Sequence, residues 1–360
     1  MEEVKENLFY NSDMAGKDAA PNDTVAYIKK ILKENGIEPV EQWGASDVPY
    51  CHSLRIEING MPIGANGKGV TREFALASGY GELMERLQLG TVWRNKLQTE
   101  GGATSCEAQS RRIPAEKLWE ENSRWYELYA KKLQETTGTS MSGKELLQKY
   151  ADSQGNVQAT AFYNLTKQAV AYLPTSLCKM VYITSGGAAG NTMEEALVQA
   201  FSEIVERHNQ LYAIQNSIAL PEIPEEVLRS SSIAYEIVTF LRSKGYRVLV
   251  KDASLGTGFP VVCVCLIDTN TGRYHTHFGA FPDFDIALQR TLTESFQGRN
   301  IQNVARYENF FCNGELQDAR YLLSELILGT SEKTPQFFLN ASARPNDFRK
   351  KSFGATIRKD

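Results

Sequence analysis

The sequence has few of the features that mark membrane or metal-ribbon proteins. Its longest apolar run covers only residues 260–267, which is too short to span a bilayer. It has only four histidines, and no two cysteines form a CxxC pair, so the spacing of a zinc ribbon is missing. The six cysteines are too scattered for a disulfide framework, and we expect them to be reduced thiols. They are Cys51, Cys106, Cys178, Cys263, Cys265 and Cys312.

An excess of positive charge is also missing. The chain has 39 Lys and Arg against 43 Asp and Glu, a net charge of −4, so it lacks the basic surplus of general nucleic-acid-binding proteins. The acidic start, Met1-Glu2-Glu3, is unlike a secretory signal. We therefore expect a cytoplasmic protein with neither a nucleic-acid nor a membrane partner.

What is present is typical of a folded domain, since 42% of the 360 residues are hydrophobic and 23% are charged. Periodicity predicts helices and strands in mixed order, and hence an α+β (mixed α/β) fold. The polar stretch 114–170 is predicted to be a helix-rich insertion or lid. The predicted helices cover 22–35 (capped by Asn22 or Asp23), 71–88, 192–215, 233–243 and 284–301, and the predicted strands 53–59, 170–173, 246–251, 261–268 and 274–278.

An internal repeat is the most informative feature. Residues 71–86, TREFALASGYGELMER, align with residues 192–207, TMEEALVQAFSEIVER, and seven of the sixteen positions are identical. A third segment, DFDIALQRTLTESFQG at 283–298, keeps Ala-Leu and then Glu at the same spacing. No lysine occurs in any of the three segments.

Helical geometry places the repeated polar residues on one face, because positions i, i+4 and i+7 lie within about 60° of one another. The faces carry Ser78, Glu82 and Glu85; Gln199, Glu203 and Glu206; and Arg290, Glu294 and Gln297, with Arg86 and Arg207 beside the first two. The opposite faces are apolar and are expected to face the core: Leu76, Tyr80, Leu83 and Leu87 in the first helix, and Leu197, Phe201 and Ile204 in the second. One such helix alone would be an ordinary amphipathic surface helix.

Convergence of the three faces would place four or five carboxylates in one cleft, which requires neutralising cations. Carboxylate oxygens suit Mg²⁺, which often binds together with phosphates, and Arg86, Arg207 and Arg290 would suit phosphate oxygens. The glycine-rich loop 185–191 would let backbone N–H groups approach a ligand at a helix N-terminus. Gly67-Lys68 is not a Walker A motif, because the upstream glycine is missing and Gly69 follows.

The segments at 66–86, 185–207 and 278–299 resemble the three signature regions of the YcaO family, and the likeness extends from about residue 16 to 303. It is closest to the stand-alone bacterial members, which share an early G-K-D-A-A segment, here at 16–20. The resemblance implies a YcaO-type core, with sheets and helices around a central nucleotide cleft. It also implies ATP- and Mg²⁺-dependent phosphorylation of a peptide amide oxygen, followed by attack of a nucleophile to give an azoline or thioamide.

The same resemblance implies roles for individual residues. Glu82, Glu85, Glu203 and Glu206 would bind Mg²⁺. Contacts to phosphate or nucleotide would come from Lys17, Thr24, Asn191, Gln199, Arg207 and Arg290, and Ser78, Arg86 and Glu294 join this nucleotide site by their place on the same helix faces. Ala188 departs from the serine that is usual in this loop. No protein nucleophile is assigned.

The domain expectation is a YcaO-type core over 1–345, shortened relative to the family, and a basic tail at 346–360. The expected partners are a peptide or protein substrate, a protein for substrate recognition or sulfur delivery, and a second copy in a homodimer. The proline-rich C-terminus of azoline-forming members is expected to be missing. Two other functions stay open: a scaffold derived from the family that assists a partner enzyme, and a small-molecule kinase, which would require a more closed pocket.

Overall fold

The computed structural model describes residues 16–45, 47–61, 64–88, 110–177, 185–305 and 328–330. The chain divides into two compact units, one formed by Met1–Glu85 with Gly186–Asp360 and the other by Arg86–Ser185. Each unit contains helices and antiparallel strands, so the predicted mixed fold class is confirmed. No helix in the described ranges is long and apolar enough to cross a membrane.

The first unit starts with a helix and a three-stranded sheet of order β1-β2-β3. Its elements are α1 (Pro21–Glu34), β1 (Pro39–Trp43), β2 (His52–Ile58), β3 (Gly64–Gly69) and α2 (Arg72–Gln88). The last residues of α2, from Arg86, are counted with the second unit. Leu54 and Ile56 of β2 are buried. A Cβ on Gly67 would lie 2.1 Å from the carbonyl oxygen of Ala75, so glycine is what allows β3 to lie this close to α2.

The rest of the first unit is built on a sheet of order β10-β9-β8-β7. Its elements are α5 (Met193–Gln215), α6 (Glu225–Ser230), α7 (Ser232–Ser243), β7 (Tyr246–Asp252), β8 (Val261–Asp268), β9 (Arg273–Ala280), α8 (Phe284–Ser295) and β10 (Leu328–Thr330). Every residue of β8 is buried, because both faces of the strand are covered. Val264 packs in one cluster with residues of α7 and α8, and Cys263 packs in another with Ala213 of α5.

The second unit has its own core around Leu118 and Tyr126. Its elements are β4 (Ser110–Pro114), α3 (Ala115–Thr137), α4 (Gly143–Gln148), β5 (Asn156–Asn164) and β6 (Ala169–Pro174), and the strands pair in the order β4-β5-β6. A Ser142 capping box starts α4.

Most predicted elements of the first unit are present within a few residues, but the predicted cap of α1 and the predicted end of α8 were wrong. Helix α1 starts at Pro21 and has no side-chain cap, because proline at the first turn already sets the helical φ. Neither Asn22 nor Asp23 caps it. Helix α8 ends at Ser295 rather than at residue 301, and Gly298 follows it at φ +69°.

Strand β5 lies within the stretch that was predicted to be helix-rich, so that prediction was wrong for residues 156–164. A turn starts the strand: Asp152 Oδ1 accepts hydrogen bonds from the N–H groups of Gln154 and Asn156, and Gly155 has φ +76°. Val157 and Ala159 are then buried at alternate positions, which is the period of a strand.

The predicted core face of α5 was also wrong. Leu197, Phe201 and Ile204 are 45%, 53% and 51% exposed in the described structure. The helix instead buries Ser202 and Asn209, and Asn209 Nδ2 donates to the Ala253 carbonyl at 2.8 Å. Because these polar side chains find partners in the protein, the helix can turn its polar side inward.

Candidate functional site

Strand β3 places Lys68 at the meeting point of all three repeat helices. Its ammonium forms an ion pair with the Glu294 carboxylate of α8. Burial, and then the charge of Arg290, lower the pKa of Lys68 to about 8, while Glu206 of α5 and Glu82 of α2 act to raise it. The charged residues of α2, α5 and α8 therefore lie close enough to act on one side chain.

Helix α5 contributes two carboxylates and a guanidinium to the same cluster. Arg207 lies 3.8 Å from a carboxylate oxygen of Glu203 and 4.0 Å from one of Glu206. Burial raises the pKa of Glu206 above its usual range, although Arg207, Lys68 and Arg290 oppose this rise. A cation bound beside this carboxyl would favour its charged form and so oppose the effect of burial on its pKa.

One backbone N–H of the glycine-rich loop contacts this cluster. The Gly186 N–H donates to a Glu203 carboxylate oxygen at 3.0 Å, and Gly186 has φ +80°. This N–H therefore binds the protein itself rather than pointing to a ligand. At the end of the loop, the Thr192 hydroxyl caps α5 by accepting from the Glu195 N–H at 3.1 Å.

A second polar network joins the start of the described chain to the start of α5. Glu195 is its centre and is buried. One of its carboxylate oxygens binds Lys17 Nζ at 3.0 Å, and the other accepts from the N–H of Asp18 at 3.0 Å and from Asn191 Nδ2 at 2.9 Å. Asn191 Oδ1 in turn accepts from the Thr24 hydroxyl at 2.8 Å. The network thus brings three predicted nucleotide contacts together.

Charge links this network to the carboxylate cluster. Burial, and then Arg290, lower the pKa of Lys17, and burial is also the main reason that the pKa of Arg290 is lowered. Arg290 stands over the Phe281 ring at 5.4 Å from the ring centroid. It is therefore the cation shared by the two groups of polar residues.

The remaining predicted residues are placed by their helices. Ser78 and Glu85 are half-buried on α2, each about one turn of helix from Glu82, and Gln199 is half-buried on α5, one turn before Glu203. Arg86 is half-buried and is the first residue of the second unit. The nucleotide and metal roles of all these residues stay predictions.

Sequence reasoning missed three polar residues of these networks. The sequence pattern excludes Lys68 from a Walker A motif and gives no sign that it lies on a strand between two glycines. Asp18 accepts from the Thr192 hydroxyl, and Glu195 lies one turn after Asn191. The sequence did contain a signal for Glu195. Glu73 and Glu194 are at equivalent positions of the repeat, and the second segment alone has a further glutamate, at 195.

The chemistry of the donors suits Mg²⁺ bound with phosphate rather than a closed metal cage. No group of three His, Cys, Asp or Glu side chains is ready to hold a metal within the ranges that the structure describes. Mg²⁺ is typically held by one or two carboxylates and completes its shell with water and phosphate oxygens. Glu203 and Glu206, with two arginines beside them, fit such a site.

The sequence also matches a known protein family. Residues 66–358 match the family model of the YcaO cyclodehydratases, which is described as ATP- and Mg²⁺-binding. The chain belongs to the YcaO family. ATP and Mg²⁺ are the ligands of this family's domain, and the predicted cofactors are thereby confirmed.

Three relatives illustrate the match. The ribosomal protein S12 methylthiotransferase accessory factor YcaO of Escherichia coli is 33% identical over 300 residues, 80% of this chain and 50% of that protein. A heterocyclase in complex with substrate and cofactor has a TM-score of 0.63 at 19% identity, covering 95% of this chain and 48% of its own. The YcaO protein of Methanopyrus kandleri, bound with AMPPCP and Mg²⁺, has a TM-score of 0.59 at 19% identity, covering 96% and 84%.

The coverage and the sequence identities limit what these similarities show. The chain spans about half the length of the E. coli relative. The two solved structures are below 25% identity and show a shared fold. The YcaO-type core predicted from the sequence is confirmed by them.

Proposed function

We propose that this protein phosphorylates the backbone amide oxygen of a peptide or protein substrate, using ATP and Mg²⁺, so that a nucleophile can replace that oxygen. The observation that carries the proposal is the convergence of charged residues from α2, α5 and α8 on Lys68. The family's ATP- and Mg²⁺-binding description supports it.

The residues suit such a reaction because phosphoryl transfer depends on charge neutralisation and positioning. Glu82, Glu85, Glu203 and Glu206 would hold Mg²⁺, which would supply charge neutralisation at the phosphate chain. Arg207 and Arg290 would bind phosphate oxygens. Arg290 suits this role because its neighbours bury it and Glu203 and Glu206 act on it from α5.

The balanced reaction has two steps. The amide oxygen forms a bond to the γ-phosphorus of ATP, and the bond from that phosphorus to the β-phosphate oxygen breaks with its electrons going to ADP. A thiol, hydroxyl or sulfide then adds to the amide carbon and loses its proton, and phosphate leaves with the former amide oxygen. Azoline formation also releases the amide N–H proton as the C=N bond forms, whereas a thioamide keeps its N–H and forms a C=S bond. A Cys, Ser or Thr side chain of the substrate would give an azoline, and sulfide a thioamide. A partner protein would present the substrate or deliver sulfur.

Calorimetry of ATP binding, with and without Mg²⁺, tests the proposal. We expect Mg²⁺-dependent binding by the wild type, weakened at least about tenfold in Glu206→Gln because a buried site carboxylate is lost. Glu57→Gln is the matched control, since Glu57 lies on β2 and pairs with Arg55 outside the carboxylate cluster. A folded wild type that binds no ATP, or binds it equally well without Mg²⁺, would overturn the enzyme function and favour the scaffold.

A further inference from the structure

Lys68 occupies a position that a solubilising lysine would not take. It lies on β3 between two glycines that face α2, where a Cβ on Gly67 or Gly69 would come within 2.1 or 2.5 Å of the Ala75 backbone. Because strand side chains alternate, Lys68 points to the other face, toward α8 and its Glu294. Only 21% of its side chain is exposed. The two glycines therefore set the position of the lysine.

The surroundings of this ammonium carry both signs of charge. Arg290 and Arg207 act on it as like charges, and Glu206 and Glu82 as opposite charges. Three cations so close together are costly unless anions neutralise them. A triphosphate carries more negative charge than one Mg²⁺ removes, so its binding would add a further anionic partner for Lys68 and the arginines.

The position along α5 indicates which phosphate Lys68 would meet. Glu195, which holds Lys17, and Glu206, which acts on Lys68, are eleven residues apart on α5, or about 16 Å along the helix axis. Lys17 is therefore engaged at one end of the polar surface, and Lys68 at the end where the carboxylates cluster. The carboxylates at that end would hold Mg²⁺, which would neutralise charge near the phosphoryl group that is transferred.

We propose that Lys68 binds the γ-phosphoryl group of ATP and holds its non-bridging oxygens during transfer, an inference that rests on the function proposed above. The bond from the γ-phosphorus to the β-phosphate oxygen breaks, and its electron pair leaves with ADP. The bond from the amide oxygen to that phosphorus forms. Lys68 donates hydrogen bonds throughout and transfers no proton, and Glu294 holds its side chain in place.

Calorimetry with ATP and with ADP, both with Mg²⁺, distinguishes this role from a structural one. In Lys68→Met we expect the Kd for ATP to rise at least about tenfold and the Kd for ADP to stay within about twofold, because ADP lacks the γ-phosphoryl group. Lys68→Arg keeps the charge and should recover part of the ATP affinity. Lys30→Met is the matched control, since Lys30 is 72% exposed on α1.

A second measurement requires no variant. Lysine amines of the wild type are acetylated with acetic anhydride, and the labelled fraction at Lys68 is read by mass spectrometry. We expect Mg²⁺ with ATP to protect Lys68 and Mg²⁺ with ADP to leave it as reactive as in the free protein. This arm keeps the inference testable if Lys68→Met does not fold.

The outcomes separate the two proposals. A wild type that binds no ATP overturns the proposed function and this inference together. A wild type that binds ATP, with Lys68→Met losing nothing or losing ATP and ADP affinity equally, overturns only the role of Lys68. Equal protection by ATP and ADP in the labelling experiment would do the same.

Discussion

His275 on β9 gives a quantitative test of the energetics of the first unit. It is 2% exposed, and within the described part of the structure neither ring nitrogen has a hydrogen-bond partner. Burial, and then the charge of Arg299, lower its pKa to about 3. The unfolded chain takes up a proton on this ring near its ordinary pKa of about 6.5, so folding keeps the ring neutral over several pH units.

The direction of the pH dependence follows from the number of protons that His275 binds in the folded and the unfolded state. Between about pH 6.5 and pH 3 the unfolded state binds more protons at His275 than the folded state, so the free energy of unfolding falls as the pH falls. With the two pKa values above, this loss reaches about 2 kcal/mol at pH 5 relative to pH 8. The pKa of His277 is also lowered, chiefly by burial, and acts in the same direction.

Between about pH 8 and pH 5, the free energy of unfolding of His275→Leu should therefore fall by about 2 kcal/mol less than that of the wild type. Urea unfolding followed by circular dichroism measures this difference. At about pH 8 the variant should match or slightly exceed the wild type, because the lost ring nitrogens have no partners among the described residues. Thr276→Val, a non-titrating change at a buried neighbour, should keep the wild-type pH dependence. Equal pH dependence in His275→Leu and wild type would refute the reasoning.

Three further predictions concern the elements that form the site, each read by urea unfolding. Gly67→Ala should lower the free energy of unfolding by about 3 kcal/mol, because its Cβ would meet the Ala75 backbone. Gly81→Ala, on the helix that packs against this strand, should raise it by about 1 kcal/mol, because nothing lies within 4 Å of the added Cβ. Leu197→Gln should change the free energy of unfolding by less than about 0.5 kcal/mol, since Leu197 is 45% exposed, and a larger loss would contradict the described orientation of α5. Asn209→Ala should cost about 2 kcal/mol, because it leaves the Ala253 carbonyl without its donor, and a neutral result would contradict that contact.

The sequence predicted the elements of the first unit well where one period ran without interruption. Strand β8 and helix α7 are long and strongly patterned, and both lie within a residue of their predicted bounds. The strands that were missed had weaker patterns. Strand β3 reads Gly-Ala-Asn-Gly-Lys-Gly, in which glycine removes the alternation of side chains that would indicate a strand.

The site shows the same division between local and tertiary information. The repeat was visible because glutamate recurs at one helical phase, and the structure brings Glu82, Glu206 and Glu294 near a common lysine. Lys68 itself could not be found in this way, because it lies on a strand outside the repeat. Its place is set by close packing of β3 on α2, which has no periodic signature.

The orientation of α5 could not be deduced from its amphipathic pattern. The hydrophobic pattern places Leu197, Phe201 and Ile204 inside, yet three polar contacts fix the opposite orientation. Glu195 is held by the segment at 17–18, Glu203 accepts from the Gly186 N–H, and Asn209 donates to Ala253. These contacts are spread over the fifteen residues from 195 to 209, so they hold the helix along most of its length. Local preference and tertiary structure conflict most often where a polar face builds a functional site. The exposed apolar side of α5 is therefore best understood as the cost of turning its carboxylates toward Lys68 and Arg290.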